Sequence, residues 1–227
     1  TAQNTVGVQG VHAVPVDFIA QQFDSVCSDL PVAAAKVGML ATSGVIEAVA
    51  RKVQQYRLRH LVLDPVMVAK SGDRLLAPEA REALAGLLLP LAEVLTPNIE
   101  EARDLLGGKP ARNVEEMQEA ARALHRMGPR YVLLKGGHLT QGAADVLFDG
   151  KAFTIFEGRR VDTPHTHGTG CTLSSAIAAG LAQGKTVHEA VGAAKEYVQG
   201  AIENALALGR GRGPLNHMYR SLQRVSA

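Results

Sequence analysis

The chain has 227 residues, 46% of them hydrophobic, and its 24 Lys and Arg against 22 Asp and Glu leave a net charge of +2. That supports one ordinary globular domain, residues 1–227, with a sizeable core, and it does not point to nucleic acid or an anionic membrane surface as a partner. No apolar run reaches the ~18 residues of a membrane span, no signal-peptide profile opens the chain, and the two cysteines are far apart, so a reducing, cytoplasmic location is expected.

In chain order, Ile19, Phe23, Val26 and Leu30 share one helical face, which places Cys27 on its apolar side as a buried thiol. A short apolar run at 33–37 predicts a strand, and Ile46, Val49 and Val53 predict the next helix. Strand 60–63 follows, then a helix through Leu84, Leu87 and Leu88, strand 93–95, a helix through Met117, Ala121 and Leu124, and strand 131–134. These strands are short and nearly all apolar, as parallel strands covered on both faces tend to be. Residues 145–148 and 152–156, separated by Asp149-Gly150, predict a hairpin. Helices at 172–181 and 187–208 close the pattern, and a loose polar tail is expected after them. The alternation of strands and helices implies a layered α/β domain with a largely parallel sheet.

The stretch Thr163-Pro164-His165-Thr166-His167-Gly168-Thr169-Gly170-Cys171 is the most informative. Two glycines flanking a threonine let the backbone approach a ligand, and the helix that follows adds its positive end, so the site suits a phosphate or a developing anion. A cysteine on the first turn of such a helix has its thiolate favoured for the same reason. The bland alternative is a glycine-rich loop that enters a helix and binds nothing. Three strands end in chemistry-bearing residues: Asp64 after 60–63, Asn98 after 93–95 and Lys135 after 131–134. Open α/β sheets place ligands outside the carboxyl ends of their strands, where these residues converge. Each also has a local reading. Asp64 suits the turn before Pro65, Lys135 precedes two glycines, and Asn98 with Glu101 forms a capping-box pattern. Gly180 to Thr186 imitates a P-loop, but it is one residue short between its glycines and ends a helix, so Gly184 reads as a helix cap. His165 and His167 lack partners for a metal site and read as loop histidines.

Taken together, the stretches TAQNTVGVQ (1–9), KVGML (36–40), LDPVMVAKSGDRLL (63–76), LTPNIEE (95–101), LKGGHL (134–139) and THGTGCTL (166–173) resemble the hydroxymethylpyrimidine and hydroxymethylpyrimidine-phosphate kinases of thiamin biosynthesis, within the ribokinase-like superfamily. The resemblance covers essentially the whole chain. It implies a three-layer ribokinase-like α/β fold with a mostly parallel central sheet. In the family a first strand and a glycine-rich substrate loop precede the segment that matches Thr1, so an exposed sheet edge or gap is expected beside 1–8.

The resemblance also implies roles. Cys171 matches the proposed catalytic base on the substrate hydroxymethyl group, and Gly168, Thr169 and Gly170 the donors to the transferred phosphoryl oxygens. Glu101, with Asp64, matches the residues that organise Mg²⁺, Glu100 being the neighbouring decoy. Asp64, Asn98, Lys135 and Thr169 fall in the ATP environment. Gln3 matches the glutamine that reads the aminopyrimidine edge, and Met39 and Val66 match pocket residues that have a plain core reading beside the functional one. The loop 69–73 matches a flap over the phosphates. The implied activity is ATP- and Mg²⁺-dependent phosphorylation of 4-amino-5-hydroxymethyl-2-methylpyrimidine and of its monophosphate, by a cytoplasmic homodimer. The alternatives are a cysteine-bearing pyridoxal or pyridoxine kinase and a non-catalytic vitamer-binding homologue.

Overall fold

A computed structural model describes residues 1–67, 80–137 and 144–221. The expected flap at 69–73 lies outside the described residues. Two short strands, β1 (Ala2–Gln3) and β2 (Val8–Gly10), pair with each other as a separate antiparallel ladder. The main sheet runs in the order β3 (Ala35–Val37), β4 (Leu61–Leu63), β5 (Val94–Leu95), β6 (Tyr131–Leu134), β7 (Asp145–Phe148) and β8 (Phe153–Phe156). The first four strands are parallel to one another, and β6, β7 and β8 are antiparallel. The outer edge of β3 has no partner strand among the described residues.

Period-two alternation divides these strands between two cores. Leu61, Leu63, Leu95, Val132, Leu134 and Val146 pack on one face, against α2 (Ser43–Gln55), the short α3 (Ala80–Ala83) with the irregular turns from Leu84 to Leu91, α4 (Ile99–Leu106) and α5 (Val114–His125). Val62, Val94, Leu133 and Leu147 face the other way, onto α6 (Thr169–Ala182) and α7 (Val187–Glu203). The predicted helical stripes hold for Ile46, Val49 and Val53 and for Met117, Ala121 and Leu124, all of them buried. Leu84 and Leu88 are buried but Leu87 is exposed, because the helix there widens into a π-turn and then tightens into a 3₁₀ turn at Pro90.

Two expectations need correction. Helix α1 (Val16–Cys27) packs Ile19 and Phe23 on the core, while Val26 and Leu30 are exposed. Cys27 is half-buried on the rim of a surface hollow that it shares with Leu30, Tyr56, Arg57 and His60. Nor are residues 209–221 loose. Arg212 N–H donates to the Thr5 carbonyl at 2.8 Å, His167 N–H to the Gly213 carbonyl at 3.1 Å, and Leu215 and Tyr219 bury against Ala201. Tyr219 lies over Gly200, where a Cβ would collide with its ring. The C-terminal segment therefore ties the β1–β2 hairpin to the loop before α6.

Candidate active site

The carboxyl ends of β4, β5 and β6 deliver three side chains to one place. Asp64 is 1% exposed and Thr96 is fully buried. The Lys135 ammonium donates to Asp64 Oδ1 at 2.9 Å, and the Thr96 hydroxyl donates to the same oxygen at 3.3 Å. Lys135 Nζ also lies 4.0 Å from Glu101 Oε2. The parallel ladder accounts for this convergence: Asn98 and Lys135 form a bridge just past the strands, and Lys135 N–H donates to the Pro97 carbonyl at 2.8 Å.

Asn98 caps α4, as the local reading expects. Its side chain accepts from Glu101 N–H at 2.8 Å, and Glu101 Oε2 accepts from Asn98 N–H at 2.7 Å, a complete capping box. Glu100 is exposed and turned to Arg103, so Glu101 faces the site and Glu100 does not. Burial pushes the Glu101 carboxyl up from 4.5 to about 7, with Asp64 adding repulsion and Lys135 and the Asn98 N–H only partly opposing it. Burial also works against the Lys135 charge, but Asp64, Glu101 and Asp145 outweigh it and hold that ammonium above its ordinary range.

Helix α6 brings the glycine loop onto this cluster. Gly168 caps it with φ +84°, a left-handed conformation that favours glycine, and its carbonyl accepts from Thr172 N–H at 2.8 Å. The helix begins at Thr169, three residues before the expected start, so Gly170 and Cys171 lie inside its first turn with N–H groups that have no intrahelical acceptor. The Thr169 hydroxyl donates to the Thr166 carbonyl at 2.7 Å. A Cβ on Gly170 would lie 3.2 Å from Lys135 Nζ and 3.6 Å from Asp64 Oδ2, so the backbone passes close over the ion pair. Cys171 is exposed beside it, and Ser174 donates to the Gly170 and Cys171 carbonyls at 3.0 and 3.1 Å.

The remaining predicted residues take the following positions. Half-buried Val66 lies two residues beyond Asp64 and donates its N–H to the Asp64 carbonyl at 2.8 Å. Met39 is exposed just past β3, and Gln3 is exposed on β1, where its side-chain oxygen accepts from the Thr1 hydroxyl. Neither Gln3 nor Met39 has a hydrogen bond or ion pair to the Asp64–Lys135 cluster among the described residues. His167 is exposed, while His165 Nδ1 is buried without a hydrogen-bond partner among the described residues and packs on Gly213. Gly184 follows α6 with φ +82°, as a helix terminus and not a P-loop.

Sequence reasoning did not single out Thr96, Asp145, Lys195 or His217. Asp145 accepts from Gly136 N–H at 2.9 Å and from Lys195 Nζ at 2.7 Å, and His217 Nε2 lies 3.0 Å from the Thr172 hydroxyl. The available signal was Asp145 itself, a carboxylate opening an otherwise apolar strand.

Chemically, the cluster offers a fixed cation at Lys135, helix N–H groups aimed outward and an accessible thiol. Asp64 and Glu101 present carboxylate oxygens that could hold a hard cation. Among the described residues, no three His, Cys, Asp or Glu side chains gather as a protein-only metal cage. That donor set fits an ion that takes one or two carboxylates and completes its shell with phosphate oxygens and water. No helix of the described residues is long and apolar enough to cross a membrane.

The sequence pattern of the phosphomethylpyrimidine kinase family matches residues 1–216. The chain is 52% identical over 219 residues to a thiamine biosynthesis bifunctional protein of Geobacter sulfurreducens, covering 96% of this chain and 44% of that protein. It is 42% identical over 219 residues to the hydroxymethylpyrimidine/phosphomethylpyrimidine kinase of Bacillus subtilis, covering 96% of this chain and 80% of that one. The chain thus spans less than half of the bifunctional relative and four-fifths of the kinase. Among solved structures, an ADP complex of Bacillus subtilis pyridoxal kinase superposes with a TM-score of 0.86 at 41% identity, over 92% of this chain and 79% of that one. The fold is therefore ribokinase-like, and the chain belongs to the phosphomethylpyrimidine kinase family.

Proposed function

We propose that this chain transfers the γ-phosphoryl group of ATP to the hydroxymethyl oxygen of 4-amino-5-hydroxymethyl-2-methylpyrimidine, and then a second phosphoryl group to the monophosphate. The substrate oxygen forms the new P–O bond, the bond between the β- and γ-phosphates breaks to release ADP, and Cys171 as thiolate takes the hydroxyl proton. The N–H groups of Gly168, Thr169 and Gly170 meet the transferred phosphoryl oxygens. Lys135 neutralises charge on the ATP phosphates, with Asp64 and Asn98 holding it in register. Glu101 and Asp64 would hold Mg²⁺, which supplies charge neutralisation between adjacent phosphates when bound. Gln3 reads the aminopyrimidine edge through an amide that both donates and accepts, and Met39 and Val66 line the ring pocket. The reading includes a single kinase domain acting as a cytoplasmic homodimer.

What supports this reading most is the placement of the Asp64–Lys135 pair directly beneath Gly170, at the N-terminal end of α6. ATP consumption measured with hydroxymethylpyrimidine, with its monophosphate and with pyridoxal tests it. Turnover of both pyrimidines is expected. Turnover of pyridoxal alone would transfer the site to the vitamer named for the Bacillus subtilis structural relative, and binding without turnover would make the chain a vitamer-binding homologue.

A further inference from the structure

A second buried ion pair stands behind Lys135. In the antiparallel register of β6 and β7, Leu134 pairs with Val146, which sets Lys135 opposite Asp145 one step further on. Alternation turns both toward the face occupied by Leu133 and Leu147, the face covered by α6 and α7. Opposite charges across an antiparallel pair attract, so Asp145 competes with Asp64 for the Lys135 ammonium. The competition is already settled: Asp145 Oδ1 accepts from Gly136 N–H at 2.9 Å, and Oδ2 accepts from Lys195 Nζ at 2.7 Å. Both partners of the Lys195–Asp145 pair are largely buried, with side-chain exposures of 15% and 12%.

We propose that Lys195 is a positioning residue for the nucleotide site: by neutralising Asp145 from α7, it leaves Lys135 directed at Asp64 beneath Gly170. This rests on the kinase reading above. The same geometry has Asp145 clamp the backbone beyond Lys135, since Gly136 N–H bonds to Asp145 while Lys135 N–H bonds to Pro97. Gly136 has no room for a side chain, because a Cβ would run into the Ala144 carbonyl. The backbone is thus fixed on both sides, and what Lys195 controls is the direction of the Lys135 side chain.

The test compares wild type, Lys195→Met and the double variant Lys195→Met/Asp145→Asn, with ADP affinity in Mg²⁺ buffer and steady-state kcat and KM for ATP as readouts. Lys195→Met leaves Asp145 uncompensated, and a rise of about tenfold in the ADP Kd and in KM for ATP is expected, with a smaller change in kcat. Removing the competing charge in the double variant is expected to bring both back to within about threefold of wild type. Unchanged ADP affinity in Lys195→Met overturns the proposal. So does a double variant as weak as the single one, since a pair that merely ties α7 to the sheet gives no recovery. If Lys195→Met does not fold, Lys195→Gln, which keeps a donor for Asp145 without the charge, carries the same comparison and the same refuting outcome. A wild-type protein that neither binds ADP nor consumes ATP sinks the kinase reading itself, before any variant is compared.

Discussion

Replacing Glu101 with glutamine is expected to remove a large part of the pH dependence of stability in the metal-free protein between pH 5 and 8. The carboxyl is 8% exposed, and burial raises it from 4.5 to about 7. Below pH 4.5 the folded and unfolded chains both hold this proton. As pH rises, the unfolded chain ionises freely while the folded carboxyl keeps its proton until about 7, so stability falls across that window and levels off above it. A shift of this size corresponds to about 3 kcal/mol lost by pH 8. Glutamine never ionises, and it retains the oxygen that accepts from Asn98 N–H, so the capping box survives. Lys135 keeps its 2.9 Å contact with Asp64. The variant is therefore expected to exceed wild type by less than about 1 kcal/mol at pH 5 and by about 3 kcal/mol at pH 8. At about 2–4 °C per kcal/mol for a chain of this size, the gain is about 6–12 °C in Tm. Thermal unfolding followed by circular dichroism in chelator, at pH 5, 6, 7 and 8, measures it. Parallel pH profiles for wild type and Glu101→Gln would refute the reasoning and place the carboxyl in contact with solvent.

At saturating Mg²⁺ and ATP, Cys171→Ala is expected to slow single-turnover phosphorylation of hydroxymethylpyrimidine about a hundredfold, the low end for loss of a general base, while ADP affinity stays near wild type. A wild-type rate would leave the backbone donors to carry the chemistry. Gly170→Ala adds a Cβ 3.2 Å from Lys135 Nζ, and KM for ATP is expected to rise about tenfold while Tm holds or increases, since alanine favours the helix; unchanged KM would separate the loop from the cation. Gly200→Ala collides with the Tyr219 ring and is expected to cost about 1–3 kcal/mol. It would also open the C-terminal segment to trypsin at Arg210 and Arg212, a change visible by mass spectrometry; unaltered cleavage would mean that the segment docks without Tyr219.

What the sequence made legible followed local rules. Leu61, Val62 and Leu63 fall on alternate cores because a strand has a period of two, and Met117, Ala121 and Leu124 bury together because a helix has a period of 3.6. Asp64, Asn98 and Lys135 were found together because parallel strands deliver their carboxyl ends to one side, a consequence of topology alone. Lys195 escaped notice for the opposite reason. It is 50 positions from Asp145, and nothing in the spacing within α7 distinguishes a lysine bound for a buried carboxylate from one left in water. Residues 209–221 escaped in the same way: their glycines and arginines read as polar tail, while their docking depends on the bare surface of Gly200 and on Thr5 near the other end of the sequence.

Asn98 and Glu101 show where the two kinds of information meet. Their spacing satisfies a helix cap, and the cap would hold with both residues in water, where Glu101 would titrate near 4.5. Instead α4 begins beneath the ends of β5 and β6, so Glu101 is buried beside Asp64 and Lys135. Burying a carboxylate there destabilises the fold as the group ionises, and the cap's two hydrogen bonds do not cancel that cost, because the carboxyl remains shifted upward with both in place. A glutamine would cap equally well without the penalty. The helix alone does not account for the acid at position 101; the kinase reading proposed above does, through a cation brought in with phosphate.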